Sequence, residues 1–249
     1  MTTATNVRVL VLADDAVRKS DSHEIITCRP ARPLRGEQVT IKAVVFDFGG
    51  VFTPSPFTAL HALHAGTRLD PAAALQAVFG PYDQDTDHPW HRLERGEISL
   101  AAAADEIKAT AARQGLEFDL FELFKAMGGS SFAVRTDVVA KVFDLRAAGY
   151  RTALLTNNIK EFSDGWRAMI PADDMFDVIV DSSAVGIRKP DHRIYRMVLQ
   201  QLGVEADEAA FLDDAVGNIE AARALGMPAI LVEDAHAGAL AELDRLLTR

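Results

Sequence analysis

The stretch that decides the fold is "IKAVVFDFGGVFTPSP", residues 41–56. Its first half, Ala43–Phe48, is an apolar run broken only by Asp47, as expected of a strand that is buried on both faces of a sheet. Two glycines, Gly49 and Gly50, then allow the backbone to turn sharply. Because ligands of open parallel sheets bind at the carboxyl ends of the strands, Asp47 is a candidate functional group.

Strand-like and helix-like segments alternate over the second half of the chain. We predict strands at Tyr150–Asn158, Phe176–Ser183, Ala209–Asp214 and Met227–Asp234. We predict helices at Thr136–Gly149, Asp191–Gly203, Asn218–Gly226 and Ala235–Arg249. This alternation predicts an α/β fold, a Rossmann-like parallel sheet with right-handed crossovers and helices on both faces.

The segment between the first strand and Thr136 reads as helices without a convincing strand. We therefore predict three parts. Residues 1–40 form an N-terminal extension, residues 41–56 and 132–249 form the core, and residues 57–131 form an inserted all-helical cap.

Composition narrows the classes of function. The net charge of −10 opposes binding to nucleic-acid phosphates, so we expect no nucleic-acid partner. No apolar run is long enough to span a membrane, and we expect no membrane partner. Cys28 is the single cysteine, which excludes an internal disulfide and fits a cytoplasmic protein. The sequence leaves the oligomeric state open.

Polar side chains follow the predicted strands at one edge of the sheet. Asp47 ends the first strand, Thr156 ends the second, and the pair Asp213-Asp214 ends the fourth. Lys189 follows the third. Any one of these groups is explained by a helix cap or a surface ion pair, but their order together favours a shared site.

The same order resembles the haloacid dehalogenase superfamily. "VVFDFGGV", "LLTNN", "GIRKPD" and "FLDDAVGNIEAARALGM" are similar to its four motifs, and the helical insert resembles the C1 cap of its subfamily I. The resemblance covers residues 41–249 and implies an Mg²⁺-dependent phosphatase that acts on a small phosphorylated metabolite of the sugar-phosphate type through an aspartyl-phosphate.

The resemblance also implies roles for individual residues. Asp47 is expected to be the nucleophile, assisted by Lys189 and Thr156. The residues expected to bind the substrate are Gly50, Thr156, Asn157 and Lys189. Those expected to hold Mg²⁺ are Asp47, Gly49 through its carbonyl, Asp213 and Asp214. Hard oxygen ligands of this kind are the ones Mg²⁺ prefers.

One residue departs from the family pattern, because phosphatases of this superfamily usually carry a second Asp where this chain has Gly49. General acid–base assistance of that kind is typically worth about 10²–10⁴-fold in rate. The acid then comes from the cap, or the leaving group needs little protonation, or the site binds without efficient turnover. The cap offers five candidate acids: His61, His64, Asp83, Asp85 and His88.

Two other functions stay open. A metal-free dehalogenase shares the Asp nucleophile and the Lys, although the pair Asp213-Asp214 favours Mg²⁺ and phosphate. A non-catalytic phosphate-binding regulatory module would also keep these motifs. The two HxxH patterns, His61–His64 and His88–His91, match zinc-ligand spacing, but structural zinc usually recruits cysteine, so we favour surface or substrate-facing roles.

Overall fold

A five-stranded parallel sheet forms the centre of the protein. The structure, a computed structural model, describes residues 40–55, 71–113, 115–117, 119–127 and 133–248. The strands are β1 (Ala43–Phe46), β2 (Arg151–Thr156), β3 (Val178–Asp181), β4 (Ala209–Asp213) and β5 (Ala229–Leu231). Their order across the sheet is β3-β2-β1-β4-β5 and every pairing is parallel, which confirms the predicted fold class.

Within the described residues, helices lie between these strands and after the last of them. Between β1 and β2 lie α1 (Pro71–Phe79), α2 (Pro89–Glu94), α3 (Leu100–Arg113), α4 (Leu120–Met127) and α5 (Thr136–Ala147). After β2 come α6 (Ser163–Met169), α7 (Ala172–Met175), α8 (Ser182–Val185), α9 (His192–Leu202), α10 (Val216–Ala224) and α11 (Ala237–Leu247). None of the helices in the described ranges has the length and hydrophobicity of a membrane span.

Two apolar layers cover the two faces of the sheet. On β1 the side chains alternate: Val44 and Phe46 pack on one face, against α5, α6 and α11, while Ala43 and Val45 pack on the other, against α9 and α10. All four are buried. Full burial of a Val or Phe side chain stabilises a fold by about 1.5–3 kcal/mol, so the sheet is held rigidly in place.

Strand register brings the predicted functional residues to one level. Phe46 pairs with Leu154 on β2 and with Leu212 on β4. Asp47 therefore lies level with Asp213 and one residue short of the position of Thr156. The first strand was predicted to reach Phe48 but ends at Phe46, because the Phe48 carbonyl accepts the amides of Val51 and Phe52 and begins a turn.

The helical insertion, α1–α4, has its own apolar centre. Val78, Trp90, Ile107 and Leu120 are buried together there, joined by Ile159 from the loop after β2. Its predicted limits, residues 57 and 131, lie outside the described residues, as do residues 1–39 of the predicted N-terminal extension. Those boundaries therefore stay predictions.

Contacts tie α2 and the loop after it to the core. The Glu94 carboxylate pairs with Arg188 at 2.7 Å, and the Glu94 carbonyl accepts the Ser182 hydroxyl at 2.7 Å. The Gly96 carbonyl accepts the Lys160 ammonium at 2.8 Å. The insertion is thus joined by polar contacts to the two loops that follow β2 and β3.

Candidate active site

Lys189 lies between two carboxylates at the carboxyl edge of the sheet. Its Nζ is 2.7 Å from Asp47 Oδ1 and 2.6 Å from Asp213 Oδ2. Lys189 and Asp213 are fully buried, and Asp47 is nearly so. Burial works against the charge on Lys189, but Asp213 and Asp47 outweigh it, so the pKa of Lys189 is raised and the ammonium stays protonated.

Asp213 is held by donors on both of its oxygens. Oδ1 accepts the Ala215 amide at 2.8 Å and the Asn218 side chain at 3.0 Å, while Oδ2 accepts Lys189 and lies 3.1 Å from the same Asn218 nitrogen. A carboxylate with this many donors is fixed in place. Its geometry suits it to hold Lys189 against Asp47.

Asp214 differs from its neighbour because one of its oxygens is unsatisfied. Oδ2 of Asp214 is buried and accepts no hydrogen bond from the described residues. Burial and the nearby charge of Asp213 raise the pKa of Asp214, while the Ser55 hydroxyl and Lys189 act to lower it. A buried carboxylate oxygen without a donor is costly unless a cation neutralises it.

Gly50 provides the space for the Asp214 carboxylate. It has φ +74°, and a Cβ at this position would lie 2.1 Å from Asp214 Oδ2. Residues other than glycine rarely adopt this φ, and here any side chain would also overlap the carboxylate. The second glycine of the opening turn is therefore required by Asp214 as well as by the turn itself.

The charges at this edge do not balance. Asp47, Asp213 and Asp214 place ligand oxygens within 4.8 Å of one another, and Lys189 supplies one positive charge against the three carboxylates. Burial raises the pKa of Asp47; Lys189 opposes this effect, and the two other carboxylates add to it. A divalent cation bound by oxygen ligands would compensate the two remaining charges, so the residues present fit Mg²⁺.

Thr156 and Asn157 stand beside Asp47 on the next strand. The Asn157 side chain donates to the Lys189 carbonyl at 3.0 Å and accepts the Lys189 amide at 2.8 Å. This pair of bonds fixes the loop that carries Lys189 to the end of β2. Because the Asn157 side chain is occupied, these two residues can offer a bound anion the Asn157 amide and the Thr156 hydroxyl.

None of the described candidates for the missing acid lines the cavity above Asp47. Asp85 is paired with Arg95 and lies 3.7 Å from Arg188, and Asp83 packs against Gly217. His88 accepts the Trp90 amide at 3.2 Å as the N-cap of α2. His61 and His64 lie outside the described residues. Gly49 itself lines the cavity and offers no proton donor.

The second HxxH pattern has a structural role. His91 is fully buried, and its Nδ1 accepts the Thr86 amide at 3.0 Å. Burial and the charge of Arg188 lower the pKa of His91 to about 3, so the ring is neutral near pH 7. Since Nδ1 of each ring accepts a backbone amide, His88 and His91 brace the start of α2, and among the described residues neither belongs to a cluster of three or more possible metal ligands.

A cavity of about 460 Å³ lies above the acidic cluster. Among the described residues, its floor is formed by Asp47, Gly49, Thr156, Asn157 and Asp214. Its walls include Phe79, Trp90 and Phe124 from the insertion and Phe162, Trp166 and Met169 from the core. Phe79 and Trp90 also belong to the apolar centre of the insertion, so they both pack in its core and line the cavity.

Sequence reasoning missed the core side of this wall and the Arg188–Glu94 pair. Phe162 and Trp166 lie on a 3₁₀ turn and a short helix that carry no long periodic pattern. Arg188 was visible inside "GIRKPD", but nothing local in the sequence connects it to a glutamate 94 positions earlier.

Comparison with known proteins identifies the family. Residues 41–226 match the model of the haloacid dehalogenase-like hydrolases. The chain therefore belongs to this family of hydrolases, as the four motifs indicated.

Two curated relatives show what the chain is similar to. It is 35% identical to acyl-CoA dehydrogenase family member 10 of Mus musculus over 83% of this chain and 19% of that protein. It is 29% identical to a sesquiterpene phosphatase of Aspergillus oryzae over 80% of this chain and 93% of that protein. The chain spans about a fifth to two fifths of the length of several relatives that it matches.

Solved structures agree on the fold. A family enzyme of Bacteroides thetaiotaomicron, in complex with magnesium and inorganic phosphate, has a TM-score of 0.54 at 19% identity, over 78% of this chain and 96% of that one. Dehalogenases share the fold at similarly low identity. These likenesses establish the architecture and not the reaction.

Proposed function

We propose that this haloacid dehalogenase-like hydrolase is an Mg²⁺-dependent phosphatase that acts on a small phosphorylated metabolite. The observation that carries the proposal is the cluster of Asp47, Asp213 and Asp214 around Lys189, at the floor of a cavity. Phosphoryl transfer needs a nucleophile, compensation of charge and an aligned leaving group, and this edge of the sheet offers the first two.

Mg²⁺ would be held by Asp47, Asp214 and the Gly49 carbonyl, and when bound it would supply charge compensation for the phosphoryl oxygens. Asp213 was also expected among the ligands. Since its oxygens already accept Lys189, Asn218 and a backbone amide, we assign it the role of positioning Lys189.

The chain's own residues would divide the reaction into two displacements. A carboxylate oxygen of Asp47 forms a bond to phosphorus while the bond from phosphorus to the leaving oxygen breaks, which gives an aspartyl-phosphate and releases the leaving oxygen as an anion that takes its proton from solvent. Water then attacks the phosphorus, releases inorganic phosphate and regenerates the Asp47 carboxylate. Lys189 orients Asp47, and its charge favours the ionised form of the carboxylate against the effect of burial. The Thr156 hydroxyl and the Asn157 amide would hold phosphoryl oxygens, together with the turn at Gly50.

Because residue 49 is a glycine, it has no side chain that could protonate the leaving oxygen. An aryl, anomeric or acyl phosphate releases a weakly basic oxygen and needs less help than a simple alkyl phosphate. Sugar phosphates of the anomeric type, expected from the sequence, belong to this class, as do aryl phosphates. Two predictions from the sequence, a cap over residues 57–131 and a location in the cytoplasm, are part of the same proposal.

Relatives support phosphatase activity over the alternatives. Proteins named as phosphatases match at low identity, among them the sesquiterpene phosphatase of Aspergillus oryzae. A metal-free dehalogenase would leave two of the three negative charges of this cluster, counting that of its nucleophile, uncompensated by Lys189. A binding module would tolerate the same geometry, and turnover alone separates it from an enzyme.

The test is hydrolysis of a panel of phosphate esters with Mg²⁺ and with excess EDTA. We expect turnover only with Mg²⁺, at least ~100-fold lower in Asp214→Ala. Asp47→Asn should abolish turnover but keep vanadate binding, since the phosphate-binding groups remain. Asp144→Ala, an exposed acid on α5, is the matched control and should behave as wild type. Undiminished hydrolysis in EDTA would refute the metal role, and phosphate binding without any turnover would favour the regulatory module.

A further inference from the structure

The walls of the cavity differ in chemistry from its floor, and we infer from them the class of substrate. We propose that the site selects phosphate monoesters whose leaving group is a bulky hydrophobic group, aromatic or alicyclic, over phosphates of polyols. The inference rests on the proposed phosphatase function and narrows its substrate.

Aromatic rings form a continuous wall from the insertion to the core. Phe79 meets Trp90 edge to face at a centroid distance of 4.8 Å, and Trp90 meets Phe124 at 6.2 Å. Phe124 then meets Phe162 of the core at 5.5 Å. Trp166 completes the lining on the core side. Rings in such contact present a rigid apolar surface that gains free energy when a hydrocarbon displaces water from it.

The acidic side chains in this wall are already occupied. Glu94 Oε1 accepts the Trp90 indole at 2.8 Å and the Tyr82 hydroxyl at 3.1 Å. Glu94 Oε2 pairs with Arg188 at 2.7 Å. Glu161 accepts the first amide of α3 at 2.7 Å. These acids therefore have little capacity left for the several hydroxyl groups of a sugar.

A sugar would accordingly leave hydroxyls unpaired against aromatic rings, and each unpaired buried polar group weakens binding. The one buried donor without a partner among the described wall residues is the indole N–H of Trp166. One donor suits a single ester or ether oxygen. It does not suit the many hydroxyls of a polyol.

The size of the cavity agrees with a bulky group. Pockets of roughly 300–1,000 Å³ hold drug-sized ligands, and this one measures about 460 Å³. A two- or three-carbon phosphate would leave much of that volume unfilled. The phosphate would occupy the floor at Asp47, and the hydrophobic group would extend along the aromatic wall.

The test uses phenyl phosphate and its 4-methyl, 4-ethyl, 4-propyl and 4-butyl derivatives. The alkyl groups scarcely change the acidity of the phenol, so the series varies hydrophobic size alone. We expect kcat/KM to rise up to about fourfold for each methylene, the fold-change that corresponds to about 0.8 kcal/mol. Glucose 1-phosphate, which has a weakly basic leaving group but a polar surface, should lie at least ~10-fold below 4-butylphenyl phosphate.

Two matched phenylalanine variants test whether the preference for larger alkyl groups arises at the aromatic wall. Phe162 is 38% exposed and lines the cavity, whereas Phe143 is 41% exposed and lies on α5, outside the cavity lining. Phe162→Ala should reduce the gain from phenyl to 4-butylphenyl phosphate several-fold, with less effect on phenyl phosphate itself. Phe143→Ala should leave the whole series unchanged. Both rings are partly exposed, so both variants are expected to fold.

A binding measurement separates this inference from the phosphatase function. Both tryptophans of the chain, Trp90 and Trp166, line the cavity, so their fluorescence reports binding of 4-butylphenylphosphonate and phenylphosphonate without turnover. Tighter binding of the butyl compound supports the inference even if no ester is hydrolysed. The absence of hydrolysis would overturn only the phosphatase proposal. Hydrolysis of phenyl phosphate with no gain along the series, or glucose 1-phosphate as the better substrate, would overturn the inference and leave the phosphatase.

Discussion

Gly50→Ala should damage the metal site through Asp214 alone. At this position the added Cβ would lie 2.1 Å from Asp214 Oδ2 and 2.2 Å from Asp214 Cγ. Real Cβ atoms do not come this close to other heavy atoms, so something must shift. The neighbouring atoms belong to a side chain, and the carboxylate is expected to rotate away from the position in which it would bind Mg²⁺.

The geometry predicts two separable effects of Gly50→Ala, a loss of stability and a loss of Mg²⁺ affinity. Gly50 has φ +74°, and an alanine in this left-handed region costs about 1–2 kcal/mol of stability. In a chain of this size each kcal/mol lowers Tm by roughly 2–4 °C. Loss of a residue that merely supports a metal ligand typically weakens metal binding by ~10–100-fold. Displacing the ligating carboxylate itself should weaken Mg²⁺ binding by at least as much.

Gly115→Ala is the matched control for the loss of stability that an alanine with positive φ causes. Gly115 has the same φ of +74°, but a Cβ there meets no atom within 4 Å. Thermal unfolding without metal should show a similar loss of Tm in both variants. Calorimetric titration with Mg²⁺ should show weakened binding in Gly50→Ala only. Mg²⁺ affinity equal to wild type in Gly50→Ala would refute the assignment of Asp214 as a ligand, as would an equal loss in Gly115→Ala.

Two further predictions concern Gly49 and His91. Gly49→Asp should make log kcat/KM less dependent on the pKa of the leaving group, because it adds a proton donor. The gain in rate, up to ~10²-fold, should be greatest for alkyl phosphates. If the wild type already shows a shallow slope, another acid protonates the leaving group. Burial and Arg188 lower the pKa of His91 to about 3, so the unfolded chain binds the extra proton first and stability falls as pH drops from about 6.5 towards 3. Relative to His91→Gln, wild type should lose up to ~1.4 kcal/mol per pH unit in urea unfolding over this range, and parallel profiles would contradict a buried neutral ring.

Much of the fold follows from patterns that are local in the sequence. Each predicted strand of the core contains an observed strand, because continuous apolar runs between glycines and polar loops are typical of buried parallel strands. The predicted strands were too long at their carboxyl ends. There Phe48 and Asn157 leave the ladder, while Asp47 keeps one bond from its amide to the Leu212 carbonyl, and their local sequence alone does not show where the strands end.

The candidate site was predictable only where its residues sit at strand ends. Asp47, Thr156 and the pair Asp213-Asp214 fall together because parallel register aligns those ends. The aromatic wall was not predictable, because Phe124 and Phe162 meet only after the insertion packs on the core. Long-range pairs of this kind leave no periodic signal in the chain.

The Arg188–Glu94 pair joins the insertion to the loop that carries Lys189. Glu94 ends α2 of the insertion, and Arg188 directly precedes Lys189, whose ammonium holds Asp47. Both members of the pair are buried, and removing one partner of such a pair is typically destabilising by about 3–5 kcal/mol. A rigid rotation of the whole insertion would separate these charges.

Any motion of the insertion relative to the core is therefore constrained at α2. Closure has to keep the Arg188–Glu94 pair intact, together with the bond from the Ser182 hydroxyl to the Glu94 carbonyl. The contact between Phe124 and Phe162, by contrast, is apolar and half-exposed, and it can separate without leaving charges unpaired. If the insertion moves, we expect it to open along its α4 side while α2 holds its place, so that the aromatic wall would part and Lys189 would stay against Asp47.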